Sequence, residues 1–445
     1  MKTAEILKLC LASAIASAFL IGSSAAQTES TLQTFQGYRN DGAVGSIPAN
    51  GYGGLIADRA GNLYGTTPFG GASTFCIEEN KPVGCGTVFQ EIPPTVKGGA
   101  WTENILYGFD PNYIGDGVLP TGGLVMDTNG NLYGTTATGQ GANEPGNIFE
   151  LSPPAKLGGH WKETNIYTFS GFGNGYYPNG SLVADGRGNL YGTTNEGGAH
   201  NVGTVYELSP PTLTGGAWTE SVLYSFGTNH SDGSYPQGGL ILDPKGNLYG
   251  TTSQGGAGSG SGYGTVFQLL KPSSSGGSWT ERVVHHFSGA DGYDPVASLL
   301  LYKGDLYGTT RGGGAYSGGE VFQIAQPGGN AVETVLYSFV REGIDGSDPR
   351  AALVVDGAGN LYSTDDVGGA YNAGVVYKIA PPSLPGGSWT YSVLYSFTGG
   401  ADGAYPAAPV LLRNGALYGL TSQGGDERCF AAVAFGCGTV FAVAP

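Results

Sequence analysis

Charged residues are scarce in this 445-residue chain, where Asp, Glu, Lys and Arg together make up only 12% of the sequence. Basic residues are the scarcer kind, because 19 Lys and Arg stand against 35 Asp and Glu and leave a formal net charge of −16. A surface of that sign repels phosphate groups. The composition therefore argues against nucleic acid and anionic membranes as partners.

Long apolar runs are also missing, except for one near the N-terminus. Lys2 and Lys8 flank the start, an apolar stretch covers residues 9–22, and Ser24 and Ala26 suit the small-residue positions of a signal peptidase site. We expect residues 1–26 to be a signal peptide and residues 27–445 to be exported, either to the extracellular space or to the periplasm. An uncleaved anchor is the alternative, but the apolar run is short for a bilayer. No membrane span is expected after cleavage.

Cysteine is rare too, with five residues in the chain. Four of them remain after cleavage, namely Cys76, Cys85, Cys429 and Cys437. An even number in an exported protein indicates disulfides. We expect the local pairs Cys76–Cys85 and Cys429–Cys437, with cross-pairing between the two ends as the alternative. The spacings match no common zinc motif, so no metal site is expected.

Glycine and aromatic residues are abundant instead, with 82 Gly, 27 Tyr and 18 Phe. Many of them belong to one repeating unit, seen in the run GNLYGTT at residues 61–67. The tyrosine of this run recurs at an average spacing of 59 residues, at Tyr64, Tyr133, Tyr191, Tyr249, Tyr307, Tyr362 and Tyr418. Periodicity of this length is typical of solenoids and propellers.

Each unit contains four runs rich in β-branched and aromatic residues, and no amphipathic helical pattern separates them. The runs are typified by residues 122–126, 132–136, 203–208 and 218–226. Gly-Asn turns and Pro-Pro loops lie between them, which favours antiparallel strands joined at the surface. Four strands repeated seven times predict an all-β fold, a seven-bladed β-propeller spanning residues 27–445.

The chain ends are permuted relative to the repeat. Residues 31–35 copy the fourth strand of a unit, whereas the last unit stops after its third strand at residues 438–443. The N-terminal strand is therefore expected to complete the last blade and to close the ring, which removes the open sheet edges of a linear array. An open array is the alternative.

The units, with GNLYGTT followed by GTVFEL, WTE-VLYSF and DG--P-GGL, resemble the GloVer tandem repeat of the choice-of-anchor bacterial surface proteins. The resemblance covers essentially the whole mature chain. It implies a secreted or surface-located repeat protein without an assigned biochemical activity, and it supplies no catalytic residues.

An Asp-Gly pair recurs just before the first strand of each unit, and a proline follows it. The pair's first residue is Asp41, Asp116, Asn174, Asp232, Asp291, Asp345 or Asp402. Tyr precedes the proline at Tyr235 and Tyr405. A ring of carboxylates and aromatic rings suits Ca²⁺ or sugar, but seven equivalent copies favour a repeated turn. No cofactor is therefore expected, with Ca²⁺ as the alternative not favoured.

Specialised function is expected where one unit departs from the others. Thr364 is followed by Asp365 and Asp366, whereas other units have a second Thr and an unrelated residue; Arg311 and Glu196 are further departures. General acid–base chemistry requires two such groups in one pocket, and drift in solvated loops is the alternative. We interpret His285 and the Trp residues of the fourth strands as packing positions.

No nucleophile or metal motif stands out from this repeat. The sequence therefore favours a non-catalytic, monomeric binding or scaffold propeller for an extracellular glycan or a surface protein. The alternative is an extracellular polysaccharide- or lactone-directed hydrolase or lyase with its site at the mouth of the propeller channel, an expectation that rests on fold analogy.

Overall fold

The fold is described by a computed structural model. It covers residues 28–36, 42–43, 53–78, 81–113, 116–139, 144–156, 158–213, 215–229, 231–256, 262–274, 276–384, 386–426 and 436–445. These residues form seven four-stranded antiparallel sheets arranged as a ring, with no helix among them. The fold is a seven-bladed β-propeller, as predicted. The predicted signal peptide and Asp41 lie outside the described residues. In the part of the chain that is described, no helix meets the length and hydropathy that a membrane crossing requires.

Each blade is a meander whose four strands are numbered here from the axis outward, and blades are numbered in chain order. The first strands are Ile56–Ala57, Val125–Met126, Val183–Ala184, Ile241–Leu242, Leu300–Tyr302, Val354–Val355 and Leu411–Arg413. The second strands are Leu63–Thr67, Leu132–Thr138, Leu190–Thr194, Leu248–Thr252, Asp305–Thr310, Leu361–Asp365 and Ala416–Thr421.

The outer two strands of each blade are longer than its first strand. The third strands are Thr87–Ile92, Pro145–Ser152, Thr204–Ser209, Thr265–Leu270, Ser317–Ala325, Val375–Ala380 and Thr439–Val443. The fourth strands are Thr102–Gly108, Lys162–Thr168, Thr219–Ser225, Thr280–His286, Val332–Val340, Thr390–Ser396 and, in blade 7, Glu29–Thr34. Three short two-stranded ribbons pair Gly42–Ala43 with Phe69–Gly70, Gly233–Ser234 with Gln254–Gly255, and Ile77–Glu78 with Lys81–Pro82.

The N-terminal strand completes blade 7. Glu29–Thr34 pairs antiparallel with Thr439–Val443, and the Cα of Ser30 lies opposite that of Ala442. The Phe35 amide then donates to the Gly438 carbonyl at 3.1 Å. The ring is therefore closed by the permuted strand, as the order of strands in the sequence predicts.

Aromatic contacts between neighbouring blades form the core. At each of the seven junctions, a Phe that ends one fourth strand meets an aromatic ring of the next blade's third strand edge-to-face, with centroids 5.0–5.4 Å apart. Phe35 and Phe89 make this contact across the closure between blades 7 and 1. Each edge-to-face pair stabilises the fold by about 0.5–1.5 kcal/mol beyond the contribution from the apolar area that it buries.

Tryptophans on the fourth strands make a second set of contacts between blades. Each packs edge-to-face on the second-strand Tyr of the preceding blade, in the pairs Trp161–Tyr64, Trp218–Tyr133, Trp279–Tyr191, Trp389–Tyr307 and Trp101–Tyr418. Trp101 thereby joins blade 1 to blade 7. The five Trp side chains thus lie at blade interfaces, in agreement with their interpretation as packing positions.

The first strands are shorter than the five residues predicted from the repeat. Their glycines lie instead where neighbouring blades touch near the axis: a Cβ on Gly53 would stand 2.2 Å from the Gly123 nitrogen. The Gly123 amide itself donates to the Ser181 hydroxyl of the next blade at 2.9 Å. Because these amides bond across blades, the regular ladder within a blade starts later.

The turns between first and second strands have the predicted chemistry. In blade 1, Asp58 Oδ1 accepts from the Gly61 and Asn62 amides at 2.9 and 3.0 Å, and Oδ2 accepts from the Asn62 side chain at 2.7 Å. The Tyr64 hydroxyl also donates to Oδ2, at 3.1 Å. One carboxylate thus ties the turn to the repeated tyrosine.

Candidate functional site

The crossings between blades and the loops after the second strands lie on one face of the propeller. Short backbone bridges join them within a blade, for example Tyr176 to Glu196, Tyr293 to Gly312 and Ser347 to Val367. Side chains from both loop sets therefore project from this face, which we call the loop face.

One position on the loop face has the same backbone conformation in every described blade. The residue before the crossing proline has a positive φ, at Leu119 (59°), Tyr177 (55°), Tyr235 (56°), Asp294 (57°), Asp348 (60°) and Tyr405 (55°). Its amide donates to the loop before the preceding blade's third strand, as from Tyr235 to the Val202 carbonyl at 2.8 Å. The backbone frame is constant while the side chain varies, and in two adjacent blades that side chain is Asp.

These two aspartates converge on one arginine. Arg311 Nε lies 2.8 Å from Asp348 Oδ1, and its Nη1 lies 3.2 Å from Asp294 Oδ2. Arg350 Nη2 lies 2.7 Å from the other oxygen of Asp348, and its Nε lies 3.5 Å from Asp366 Oδ2. The five residues form a continuous ion-pair network across blades 5 and 6, in a protein where charge is scarce.

Burial changes the acidity of two of the network's carboxyl groups. It raises the pKa of Asp294 above its usual value, against the opposing effect of Arg311. It also raises the pKa of Asp366 to about 6, against the opposing effect of Arg350. Burial therefore makes both Asp294 and Asp366 weaker acids than a free aspartate.

The network borders a cavity of about 380 Å³ between blades 5 and 6. Tyr293, Arg341 and Glu342 line the cavity together with Asp294, Arg311 and Asp348. Arg350 also lines a cavity of about 30 Å³ formed by crossings of blades 3 to 7, which meet at the propeller axis. The arrangement offers fixed hydrogen-bond donors, acceptors and a partly exposed aromatic ring in one concave place.

Two of the residues predicted from the sequence, Arg311 and Asp366, are thus brought together. Asp365 is not part of this surface, because it is fully buried beneath it. In blades 1, 3, 4 and 7 the equivalent Thr pairs with a third-strand Thr, as Thr194 does with Thr204 at 2.8 Å. The equivalent third-strand residue in blade 6 is Val375, and within the described residues neither Asp365 oxygen has a hydrogen-bond partner. Burial, together with the charges of Asp345, Asp348 and Asp366, raises the pKa of Asp365 well above its usual value.

Three other candidates lie elsewhere on the ring. Glu196 follows the second strand of blade 3, where its carbonyl accepts from the Tyr176 amide at 2.8 Å. Tyr235 belongs to the crossing into blade 4, and Tyr405 to the crossing into blade 7. Tyr405 packs against the buried Phe397 cluster. None of the three contacts the Arg311 network among the described residues.

Where the structure describes the turn after a fourth strand, the Asp-Gly carboxylate closes it. Asp232 Oδ2 accepts from the Gly227 and Thr228 amides and from the Tyr224 hydroxyl, each at 2.9 Å. Asn174 occupies the same place, and its Oδ1 accepts from the Ser170 amide at 3.0 Å. These contacts support the turn interpretation. Asp291 differs, because its Oδ2 lies 2.9 Å from the Nε2 of a histidine, His285.

The predicted local disulfide between Cys76 and Cys85 is present, with Cα atoms 5.2 Å apart. Cys437 is also disulfide-bonded. Cys429 lies outside the described residues, so the second predicted pairing stays a prediction.

Sequence reasoning missed Asp294, Asp348 and Arg350. A signal for the first two was present, because Asp replaces Tyr or Leu before the crossing proline only in these two units of those described. At that position the functional signal lies in the two exceptions to the repeat and not in the residue that recurs. Arg350 follows the second of these prolines directly.

The comparisons with known proteins begin with a family model. The Gloeobacter/Verrucomicrobia repeat matches residues 75–275 and, in an overlapping second match, residues 214–441. No curated protein matches the chain.

Several solved structures are weakly similar. A protein of unknown function from Dyadobacter fermentans is 13% identical with a TM-score of 0.42, over 82% of this chain and 97% of that one. PorZ, a surface component of the type-IX secretion system of Porphyromonas gingivalis, is 13% identical with a TM-score of 0.46, over 90% and 47%. A mutant of the NanB sialidase from Streptococcus pneumoniae is 11% identical with a TM-score of 0.44, over 93% and 71%. Similarities this weak carry no argument about function.

Proposed function

The chain belongs to the Gloeobacter/Verrucomicrobia repeat family, and we propose that it is an extracellular, non-catalytic binding propeller that holds a glycan at the Arg311 network. Membership of a repeat family and the Cys76–Cys85 disulfide both fit an extracellular protein. The observation that carries the proposal is spatial. Departures from the repeat that are far apart in sequence meet beside one cavity on the loop face.

The chemistry of the network favours a polyhydroxylated ligand. Each arginine is paired with aspartates, so the charges compensate and no strong field of one sign remains to select an ion. Carboxylate oxygens accept and guanidinium groups donate, which is the pairing that vicinal hydroxyl groups require. Tyr293 adds an aromatic ring beside the cavity, with 42% of its surface exposed.

A second function, the hydrolase or lyase, is favoured by one specific observation. Asp366, whose pKa is raised to about 6, belongs to the same network as Asp348, a carboxylate held by two arginines. A carboxyl group whose pKa is raised toward neutrality by burial, as that of Asp366 is, suits general acid–base catalysis. A turnover measurement therefore belongs beside the binding measurement.

The test compares one network variant with one matched control on a glycan array. Asp348→Asn keeps a residue that tolerates positive φ but removes the charge that joins Arg311 to Arg350. Glu196→Gln makes the same change of charge on the same face, in blade 3. We expect wild type and Glu196→Gln to bind the same glycans, and Asp348→Asn to lose at least about tenfold in affinity, because it removes one partner of two partly buried, hydrogen-bonded charge pairs.

Three outcomes contradict the proposal. Wild type that retains no glycan, and retains a surface protein instead, refutes the glycan ligand. An equal loss of glycan affinity in Asp348→Asn and Glu196→Gln would place the ligand outside the network. Release of products from a bound glycan by wild type, abolished in Asp366→Asn, establishes the enzyme instead.

A further inference from the structure

A histidine interrupts a contact that repeats around the ring. Two residues before the Phe that ends the fourth strand, most blades have a Tyr whose hydroxyl donates to the Asp-Gly carboxylate. The pairs are Tyr107–Asp116 at 2.9 Å, Tyr224–Asp232 at 2.9 Å, Tyr337–Asp345 at 2.7 Å and Tyr395–Asp402 at 2.8 Å. In blade 4 the residue is His285, and its Nε2 lies 2.9 Å from Asp291 Oδ2. An imidazole nitrogen thus replaces a phenol beside the same carboxylate.

A second carboxylate completes a group of three. Glu333, on the fourth strand of blade 5, brings one oxygen into a set with His285 and Asp291 in which all ligand atoms lie within 4.8 Å of one another. Its Oε1 is shielded from solvent and has no hydrogen-bond partner among the described residues. Asp291 Oδ1 is occupied by the Ser288 amide at 2.7 Å, which fixes the carboxylate and leaves Oδ2 facing His285.

A third carboxylate lies close by and is buried. Glu320 stands where blades 1, 3, 4 and 7 have Thr on the third strand, and it is 1% exposed. Its Oε1 accepts from the Ser338 hydroxyl at 2.7 Å, whereas Oε2 has no partner within the described chain. Burial and the charges of Asp291 and Glu320 raise the pKa of Glu333 to about 7.

Among the described residues, the only basic side chain in an ion pair with this group of acids is His285. No Lys or Arg in the described part of the chain forms an ion pair with Asp291, Glu320 or Glu333. Buried carboxylates are normally paired or coordinate a metal. A cation is therefore the missing partner, and the ligand atoms indicate its class.

We propose that His285, Asp291 and Glu333 bind a first-row divalent metal ion of the Zn²⁺ type between blades 4 and 5. The nitrogen–oxygen distance of 2.9 Å between His285 and Asp291 is within about 0.5 Å of the roughly 3.4 Å that separates two tetrahedral ligands with bonds of about 2.1 Å, so a small side-chain movement would admit the ion. A ligand set with imidazole nitrogen suits Zn²⁺ and its neighbours, whereas Ca²⁺ prefers oxygen ligands at longer distances. Glu320 supplies a further oxygen or orients a bound water.

The test uses Co²⁺ as the probe and the tag-free mature chain, stripped of metal with chelator. Co²⁺ bound by nitrogen and oxygen ligands absorbs visible light, so a titration gives stoichiometry and affinity, and Zn²⁺ is then added as a competitor. We expect one Co²⁺ per chain, displaced by Zn²⁺, and a higher melting temperature with Zn²⁺ than with chelator.

The repeat supplies the control variants. His285→Tyr installs the residue of the other blades and keeps the hydrogen bond to Asp291, so the metal-free melting temperature should stay near that of wild type. Its affinity for Co²⁺ should fall at least about tenfold, as on loss of a metal ligand. Tyr224→His places the same triad at the junction of blades 3 and 4, with Asp232 and Glu281, but Thr265 stands where blade 5 has Glu320. It should create a second, weaker site.

The proposal is overturned if wild type binds no stoichiometric Co²⁺, or if His285→Tyr binds it as tightly as wild type. If His285→Tyr does not fold, Glu333→Gln replaces it, and unchanged Co²⁺ affinity in that variant has the same consequence. Binding of Ca²⁺ in preference to both Co²⁺ and Zn²⁺ also refutes the assignment.

Discussion

A covalent link between the two ends of the chain tests the closure of the propeller. Ser30 in the N-terminal strand and Ala442 in the last strand have opposed Cα atoms, and opposed residues of an antiparallel pair project on the same side. Cysteines at both positions, Ser30→Cys with Ala442→Cys, should therefore form a disulfide in the folded protein under oxidising conditions.

The expected stabilisation follows from the length of chain that the link encloses. Residues 30 and 442 are 412 positions apart, and the chain-entropy relation gives about 6 kcal/mol at 25 °C for such a loop, less any strain in the native state. An unfolding entropy of about 2.1 cal/mol/K per residue makes this roughly 6–7 °C in melting temperature for the mature chain.

The assay is intact mass and electrophoretic mobility without reductant, followed by calorimetry against oxidised wild type. The matched control is Ser30→Cys with Lys378→Cys, because Lys378 opposes the repeated Tyr362 in blade 6 as Ala442 opposes Tyr418 in blade 7. The control pair should stay reduced within one chain. Closure by the N-terminal strand is refuted if the first pair does not link, or if both pairs link equally well.

Three further outcomes are expected. Peptide mapping without reductant should recover Cys76 linked to Cys85, and replacing both by Ser should cost about 2–3 kcal/mol; free thiols in the exported protein contradict this. Asp232→Ala should lose about 1–3 kcal/mol of stability, because it leaves the Gly227 and Thr228 amides unpaired. Asp232→Asn should cost little, because Asn can make the same hydrogen bonds. If calorimetry shows equal losses of stability in the two variants, Asp232 does not act as a turn former. Burial raises the pKa of Glu163 and of Glu281 to about 7 from 4.5, so their contribution to the free energy of unfolding is complete below pH 4.5 and is lost as pH rises through 7. The melting temperature should therefore fall between pH 4.5 and 7, and less steeply in Glu281→Gln than in wild type. A melting temperature that rises over this interval contradicts the effect.

Much of the fold was predictable because the repeat is redundant. Seven copies of the Leu-Tyr pattern determine the number of blades, and the misplaced fourth strand at residues 31–35 predicts how the ring closes. The length of the first strands was not predictable from one unit. Their amides bond across blades near the axis, as Gly123 does with Ser181, and a contact between units leaves no pattern within a unit.

The candidate site was predictable only in part, for a geometric reason. Arg311 and Asp348 are 37 residues apart, and their contact depends on the angle between neighbouring blades, which no local pattern encodes. Asp365 and Asp366 are adjacent in sequence but face opposite sides of a strand end. One is therefore sealed in the core and the other joins the loop face, and their partners, Val375 below and Arg350 above, decide their roles.

At the residue before the crossing proline, the backbone conformation is the same at every described crossing, whereas the side chain differs. That conformation depends on the residue's own backbone bonds, so Leu, Tyr and Asp all occupy the position without altering the blade. Substitution there changes the chemistry of the loop face at little cost in folding. Each additional repeat unit therefore adds one position on the loop face whose side chain can change independently of the fold. Exchange of a single repeat unit between related proteins should therefore transfer the ligand preference of that unit, while the other six blades maintain the fold.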